Sequence, residues 1–147
     1  MSLRARFRLK PDREQDFSPS SGRGMHKQVL VALLDGDPDV AEMYALGLSL
    51  RGFRVKTYGS GAELFAAANL ELPDIVVIDW DLPAGGEAIL IAVRRHNRMS
   101  AIPVLILTGL TQTDEVMGGL QYAVSGWHVK IHTPPGALAD ALVAASA

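Results

Sequence analysis

Three short runs of the chain are apolar throughout: Val29 to Leu34, Ile75 to Ile78 and Ile102 to Leu107. They have the length of strands and no polar face, which is the pattern of strands covered on both sides of a sheet. Two further runs, Phe53 to Thr57 and Trp127 to Ile131, alternate apolar with polar residues (FRVKT and WHVKI). That alternation places them at the sheet edges. Helical spacing fills the intervals. Val40, Met43, Tyr44, Gly47 and Leu50 line one face of a first helix, with Asp37 spaced as its N-cap, Pro38 in the first turn and Gly52 at the C-terminal cap. Ser60 and Glu63 have the spacing of a capping box for a second helix. Ala88 to Arg98 predicts a third, whose Arg94, Arg95 and Arg98 complement the dipole at its C-terminal end. A fourth, near Asp114 to Ala123, carries Gly118 and Gly119 in its interior. Each glycine costs about 1 kcal/mol relative to alanine, so this helix is expected to be the least rigid. Thr133 as a cap, Pro134 and the Leu138, Ala141, Leu142 face predict the fifth.

Five strands alternating with five helices specify an α/β fold, a doubly wound five-stranded parallel sheet with helices on both faces, because parallel neighbours need right-handed crossovers. The three wholly apolar strands must be interior. Strand order 2-1-3-4-5 achieves this and puts the topological switch point, where ligands bind, between strands one and three. Asp35 and Asp79 stand at the carboxyl ends of those two strands, so two carboxylates converge on the crevice that the topology leaves open.

The chain has 147 residues, 48% of them hydrophobic and 20% charged, which suits one domain with a real core and excludes wholesale disorder. No run of eighteen apolar residues occurs, and the N-terminus has no apolar secretory segment, so a cytoplasmic location is the expectation. The absence of cysteine removes disulfides, thiolate nucleophiles and thiolate metal sites. The net charge of −2 is unevenly spread: residues 1–26 sum to +3 and residues 27–147 to −5. The acidic part argues against nucleic acid as its main partner. Near residue 26 the composition changes. Phe17 to Gly24 (FSPSSGRG) reads as a linker, and Leu3 to Lys10 (LRARFRLK) as a short strand, a surface-binding arm or a solvated tail. Residues 1–26 are thus expected to be an extension, and 27–147 the domain. His26, His96, His128 and His132 lack metal-ligand spacing with a carboxylate on one helix face and read as surface or packing residues.

Leu34-Asp35-Gly36-Asp37-Pro38, Asp79 with Leu82-Pro83, Thr108-Gly109 and Lys130 together resemble the receiver domain of two-component response regulators. The resemblance spans roughly residues 27–147 and rests on spacing, with 29 residues from Asp79 to Thr108 and 22 from Thr108 to Lys130. It implies a flavodoxin-like fold. It further implies that Asp79 accepts a phosphoryl group from a histidine kinase or phosphotransfer protein, with Thr108 and Lys130 as phosphoryl contacts. Mg²⁺ would sit among Asp35, Asp79 and a backbone carbonyl near Asp81, and Trp127 would be the switch aromatic. In such domains the change reshapes the face made by the fourth helix, fifth strand and fifth helix, so a downstream protein or a second copy would read it there. No output domain follows the fifth helix in this sequence, so the effect is expected through such a contact or through a domain outside it. The chemistry agrees, since a carboxylate becomes a useful nucleophile once the donor is oriented and its charge neutralised by metal and ammonium groups.

Each residue also has a plainer reading. Asp37 is foremost an N-cap, Asp81 a loop residue whose backbone matters, Thr108 a strand-end hydroxyl, Lys130 a snorkelling edge lysine and Trp127 ordinary packing. Their joint register favours function. Three features depart from the receiver pattern. Gly36 stands where the family usually has a metal-ligating Asp, which should weaken Mg²⁺ binding. Ile131 replaces the proline that commonly follows the lysine, which is expected to redirect Lys130. The Pro83-Ala84-Gly85-Gly86 loop is one residue short. These departures keep open a pseudo-receiver that binds protein without phosphorylation. A haloacid-dehalogenase-like phosphotransferase, suggested by Asp79-Trp80-Asp81 or Asp35-Gly36-Asp37, lacks room for a cap and a late acidic pair after a strand, and a flavin-binding flavodoxin lacks a neutral phosphate cradle after its first strand.

Overall fold

The computed structural model describes residues 27–109 and 124–146. Strands β1 (Leu30–Leu34), β2 (Arg54–Tyr58), β3 (Ile75–Asp79), β4 (Val104–Thr108) and β5 (Gly126–Val129) form one sheet in the order β2-β1-β3-β4-β5. All four pairings are parallel, as the alternating pattern required. Among the described residues there are four helices, α1 (Pro38–Leu50), α2 (Gly61–Ala68), α3 (Gly86–Arg95) and α4 (Pro135–Ser146). The fourth predicted helix and the stretch 1–26 lie outside the described residues, so α4 is the fifth helix of the sequence reading. No described helix is long and apolar enough to cross a membrane.

The period of two along each strand sorts the core into two layers. Val31, Leu33, Ile75, Val77, Leu105 and Leu107 face α1 and α4, where Tyr44, Leu48, Leu138 and Leu142 meet them. Ala32, Leu34, Val76, Ile78, Val104 and Ile106 face α2 and α3 through Leu64, Leu90 and Val93. Every residue of β1, β3 and β4 is buried, whereas β2 and β5 are only partly covered. The wholly apolar strands are therefore interior and the alternating ones are at the edges. Each fully buried aliphatic side chain contributes about 1.5–3 kcal/mol against the entropy of ordering the chain.

The helix ends follow the capping residues closely. Asp37 Oδ1 accepts from the amides of Asp39 and Val40 at 2.9 and 3.4 Å, and Gly52 takes a positive φ of 96° just past α1. Ser60 Oγ accepts from Glu63 N at 3.3 Å, and Glu63 Oε1 returns the bond to Gly59 N at 3.2 Å, one residue earlier than a capping box would have it. The predicted boundaries shift elsewhere. The third helix stops at Arg95 instead of Arg98, because His96 is extended and Arg94 turns back to the carbonyls of Ser100 and Ile102 at 3.2 and 2.7 Å. β5 stops at Val129, and Lys130–His132 form a 3-10 turn. Thr133 was expected to cap the last helix. Its hydroxyl instead donates to Val129 O at 2.7 Å, and the helix starts at Pro135, whose missing N–H is harmless in a first turn.

One polar bond ties α1 to the chain leaving β5. The buried Tyr44 hydroxyl donates to Thr133 O at 2.7 Å, and burial raises the Tyr44 phenol above its ordinary value. Removing that hydroxyl leaves a buried carbonyl without its partner. Tyr44→Phe should therefore lower the unfolding free energy by about 1–2 kcal/mol, read from the urea midpoint at unchanged m-value.

Candidate functional site

Asp35 follows β1 directly and Asp79 ends β3. Because Leu34 pairs with Ile78 in register, the two carboxylates come to the same level at the carboxyl edge of adjacent central strands. Each is held in the same way. Oδ1 of Asp35 accepts the amide of Asp37, and Oδ1 of Asp79 accepts the amide of Asp81, both at 2.9 Å. This is the local turn by which an aspartate binds the backbone two residues on. Both remaining oxygens face one cation, with Lys130 Nζ 3.0 Å from Asp35 Oδ2 and 3.2 Å from Asp79 Oδ2.

Asp35 and Asp79 are 4% and 5% exposed, so their mutual repulsion is poorly screened and the ammonium between them is needed. Lys130 arrives from the far side of β4, and its side chain spans the end of that strand. Burial alone would depress the lysine pKa, but the ion pairs with Asp35 and Asp79 outweigh it, and the net shift is upward. Asp35 Oδ2 is fully buried and makes no hydrogen bond of regular geometry among the described residues; its contact with the ammonium is ionic. The replacement of proline by Ile131 does not redirect Lys130 as the sequence suggested. Ile131 points to solvent at 83% exposure, and the 3-10 turn leaves the lysine aimed inward.

Thr108 is buried at the end of β4, beside the strand that carries Asp79. Trp127 lies opposite Ile106 in the β4–β5 register and packs edge-on against Trp80, with ring centroids 4.7 Å apart and planes at 67°. Its Nε1 is buried without a hydrogen-bond partner among the described residues. The predicted set Asp35, Asp79, Thr108, Lys130 and Trp127 is thus gathered around one rim of the sheet. Asp37 is engaged as the α1 cap. Asp81 contributes differently from a side-chain ligand, since its Oδ2 accepts from Gly109 N at 2.8 Å.

Three contacts escaped the sequence reading. Trp80 pairs with Trp127, a meeting that strand parity could have shown, because residues 76, 78 and 80 share a face with Ile106 and its partner Trp127. The Asp81 clasp on Gly109 joins two loops and has no local signal. Leu82 and Pro83 pack over Gly36, where an added Cβ would sit 3.3 and 3.5 Å from them. The Pro83–Gly86 loop has its own mechanics. Gly85 takes φ of 90°, and Gly86 runs so close to the Asp79 turn that a Cβ would lie 2.6 Å from Trp80 Cα and 2.8 Å from Asp79 O.

Comparison with known proteins places this geometry in a family. The profile of the response regulator receiver domain matches residues 31–140, about three-quarters of the chain. The transcriptional regulatory protein PrrA of Mycobacterium tuberculosis is 32% identical over 101 residues, covering 68% of this chain and 42% of that protein. The DNA-binding response regulator MtrA of Mycolicibacterium smegmatis is 31% identical over 110 residues, covering 75% of this chain and 46% of that one. The chain therefore spans less than half the length of these curated relatives. Among solved structures, the chemotaxis response regulator CheY4 of Vibrio cholerae superposes with a TM-score of 0.74 at 26% identity, covering 81% of this chain and 99% of its own. The chain belongs to the response regulator receiver domain family and is a receiver domain of two-component signalling.

Proposed function

We propose that Asp79 is a phosphoacceptor, taking a phosphoryl group from the phosphohistidine of a histidine kinase or phosphotransfer protein. Receiver domains are signalling domains and not typical enzymes, so the transfer serves to change a surface. The observation that carries this reading is the placement of Asp79 Oδ2 against the Lys130 ammonium at 3.2 Å, with Asp35 on the same cation. A carboxylate oxygen of Asp79 forms a bond to phosphorus as the bond from phosphorus to the donor imidazole nitrogen breaks, and the electron pair of that bond returns to the imidazole. Lys130 keeps fixed positive charge beside the phosphoryl oxygens. The amide of Asp81, bonded to Asp79 Oδ1, holds the carboxylate in one orientation, which lowers the entropic cost of attack.

Asp35 and Asp79 fit a Mg²⁺ ion as a reduced set. Asp35 Oδ2 is buried and makes no hydrogen bond among the described residues, it lies with Asp79 Oδ2 against the Lys130 ammonium, and Mg²⁺ is commonly held by one or two carboxylates while keeping several waters. A backbone carbonyl near Asp81 would complete the protein ligands, since the Asp81 carboxylate is occupied by Gly109. When bound, the ion supplies charge neutralisation for the phosphoryl oxygens. Among the described residues no cluster of three acidic or histidine side chains is arranged for a metal, so affinity should be lower than a third carboxylate at position 36 would give.

The Thr108 hydroxyl would donate a hydrogen bond to a phosphoryl oxygen and draw the loop after β4 inward. Trp127 would change rotamer in response, and its edge contact with Trp80 couples it to the residue next to Asp79. The readout surface would be β5, α4 and the fourth predicted helix, recognised by a downstream protein or a second copy. That MtrA is a DNA-binding regulator describes MtrA. One observation bears on a second reading, a pseudo-receiver that binds protein without phosphorylation: Leu82 and Pro83 crowd the start of any side chain at Gly36, lying 3.3 and 3.5 Å from an added Cβ.

Two measurements separate these readings. Trp80 fluorescence should change on adding beryllofluoride with Mg²⁺, and intact mass after acetyl phosphate should show one added phosphoryl group, with both signals lost in Asp79→Asn. Silence of the wild type at millimolar Mg²⁺ would leave the pseudo-receiver. Lys130→Met tests the electrostatics. It strands two buried carboxylates and should cost about 1–3 kcal/mol at pH 7, discounted for the partial exposure of the lysine. Because the folded pKa of Lys130 is raised above the ordinary 10.5, its contribution is complete below pH 10.5 and is lost as pH climbs through the folded value. The stability gap between wild type and Lys130→Met, from denaturant titrations, should be constant from pH 7 to 10 and narrow above that.

A further inference from the structure

We propose that the Asp81 carboxylate is a resident anion on the Gly109 amide, which a phosphoryl group on Asp79 must displace, and that this competition sets how tightly the domain holds the group. The inference rests on the reading of Asp79 as phosphoacceptor and goes beyond it in naming a residue that opposes the phosphorylated state.

The geometry begins at the last rung of the β3–β4 ladder, where Asp79 pairs with Leu107 and Trp80 N donates to Leu107 O at 2.8 Å. Asp81 and Gly109 each lie two residues beyond that rung. Their bond, Gly109 N to Asp81 Oδ2 at 2.8 Å, carries the ladder past the end of the sheet with a side chain in place of a carbonyl. It also fastens the loop after β3 to the loop after β4. Asp81 is itself bound to Asp79, through its amide on Oδ1 at 2.9 Å. A chain of hydrogen bonds therefore runs from the Asp79 carboxylate through Asp81 to the residue after Thr108.

A phosphoryl group on Asp79 extends outward from the strand end into this rim. It brings additional negative charge and three acceptor oxygens that need donors. Lys130 and Thr108 supply two kinds. The Gly109 amide is the backbone donor next in line, and it is already taken by an acceptor carrying like charge. Asp81 and Gly109 are both exposed, so the clasp can open without disturbing the core. The carboxylate would leave the amide to the phosphoryl oxygen and turn to water. The free energy of breaking a charge-assisted bond is charged against the phosphorylated state.

Beryllofluoride titrations in millimolar Mg²⁺ on the wild type, Asp81→Ala and Asp81→Asn, with the Gly109 amide followed by ¹⁵N–¹H correlation, test this. Asp81→Ala removes charge and acceptor and should bind about fivefold to tenfold more tightly. Asp81→Asn keeps an acceptor and loses the charge, so it should fall between the two. The Gly109 resonance of the free protein should move in Asp81→Ala and little in Asp81→Asn. If the wild type binds and neither variant binds more tightly, the competition is refuted while Asp79 remains an acceptor. If none of the three binds beryllofluoride and none gains mass from acetyl phosphate, the phosphoacceptor reading fails and this inference fails with it.

Discussion

Two carboxylates that are almost fully buried, at the ends of neighbouring strands, need a cation, and the rest of the site follows from supplying it. The attraction between Lys130 and each aspartate is strong because little water screens it. Losing the cation would leave uncompensated charge in the protein, which costs more than the pair itself contributes. The fold answers with symmetry. Asp35 and Asp79 each give one oxygen to the amide two residues on and the other to the same ammonium. Lys130 reaches both from just past the end of β5, on the same edge of the sheet. The order β2-β1-β3-β4-β5 provides this by setting β5 two positions from β3, with only β4 between them.

Much of the frame was legible because it depends on patterns local to the chain. A strand buried on both faces has no polar positions, and β1, β3 and β4 read as such; an edge strand retains polar positions, and β2 and β5 did. Asp37, Ser60 and Gly52 announced helix ends through residue types that satisfy free backbone groups or accept a positive φ. The strand order then followed from placing three apolar strands inside, and with it the meeting of Asp35 and Asp79. The prediction for Thr133 erred for an instructive reason. A threonine before a proline-rich turn fits a cap by type, yet its hydroxyl found the Val129 carbonyl one turn back, and Lys130–His132 took up the 3-10 turn that this bond closes.

What could not be read were contacts whose partners lie on different loops. The bond between Asp81 and Gly109 spans 28 positions and depends on two loops leaving their strands at matching heights. The aim of Lys130 depended on the turn after β5, and Ile131 alone suggested otherwise. Trp80 and Trp127 lie on the same face by strand parity, but their edge-on angle is decided by packing against Ile106 and the α2–α3 layer. Such contacts need the register of three strands at once, which no single segment contains.

Gly36 changes the electrostatic character of this rim as much as any residue that is present. An acid there would add a third carboxylate to a pocket with one ammonium, and the unliganded state would carry an excess that only a bound cation could relieve. Glycine leaves two acids against one lysine, with Asp37 and Asp81 turned toward backbone amides. Leu82 and Pro83 close over the glycine with apolar surface. The charge of the pocket is accordingly balanced chiefly by Lys130, which pairs with both acids. Among the described residues Lys130 is thus the principal counter-charge of this rim, and the position of that one side chain decides whether two buried carboxylates are tolerated at neighbouring strand ends.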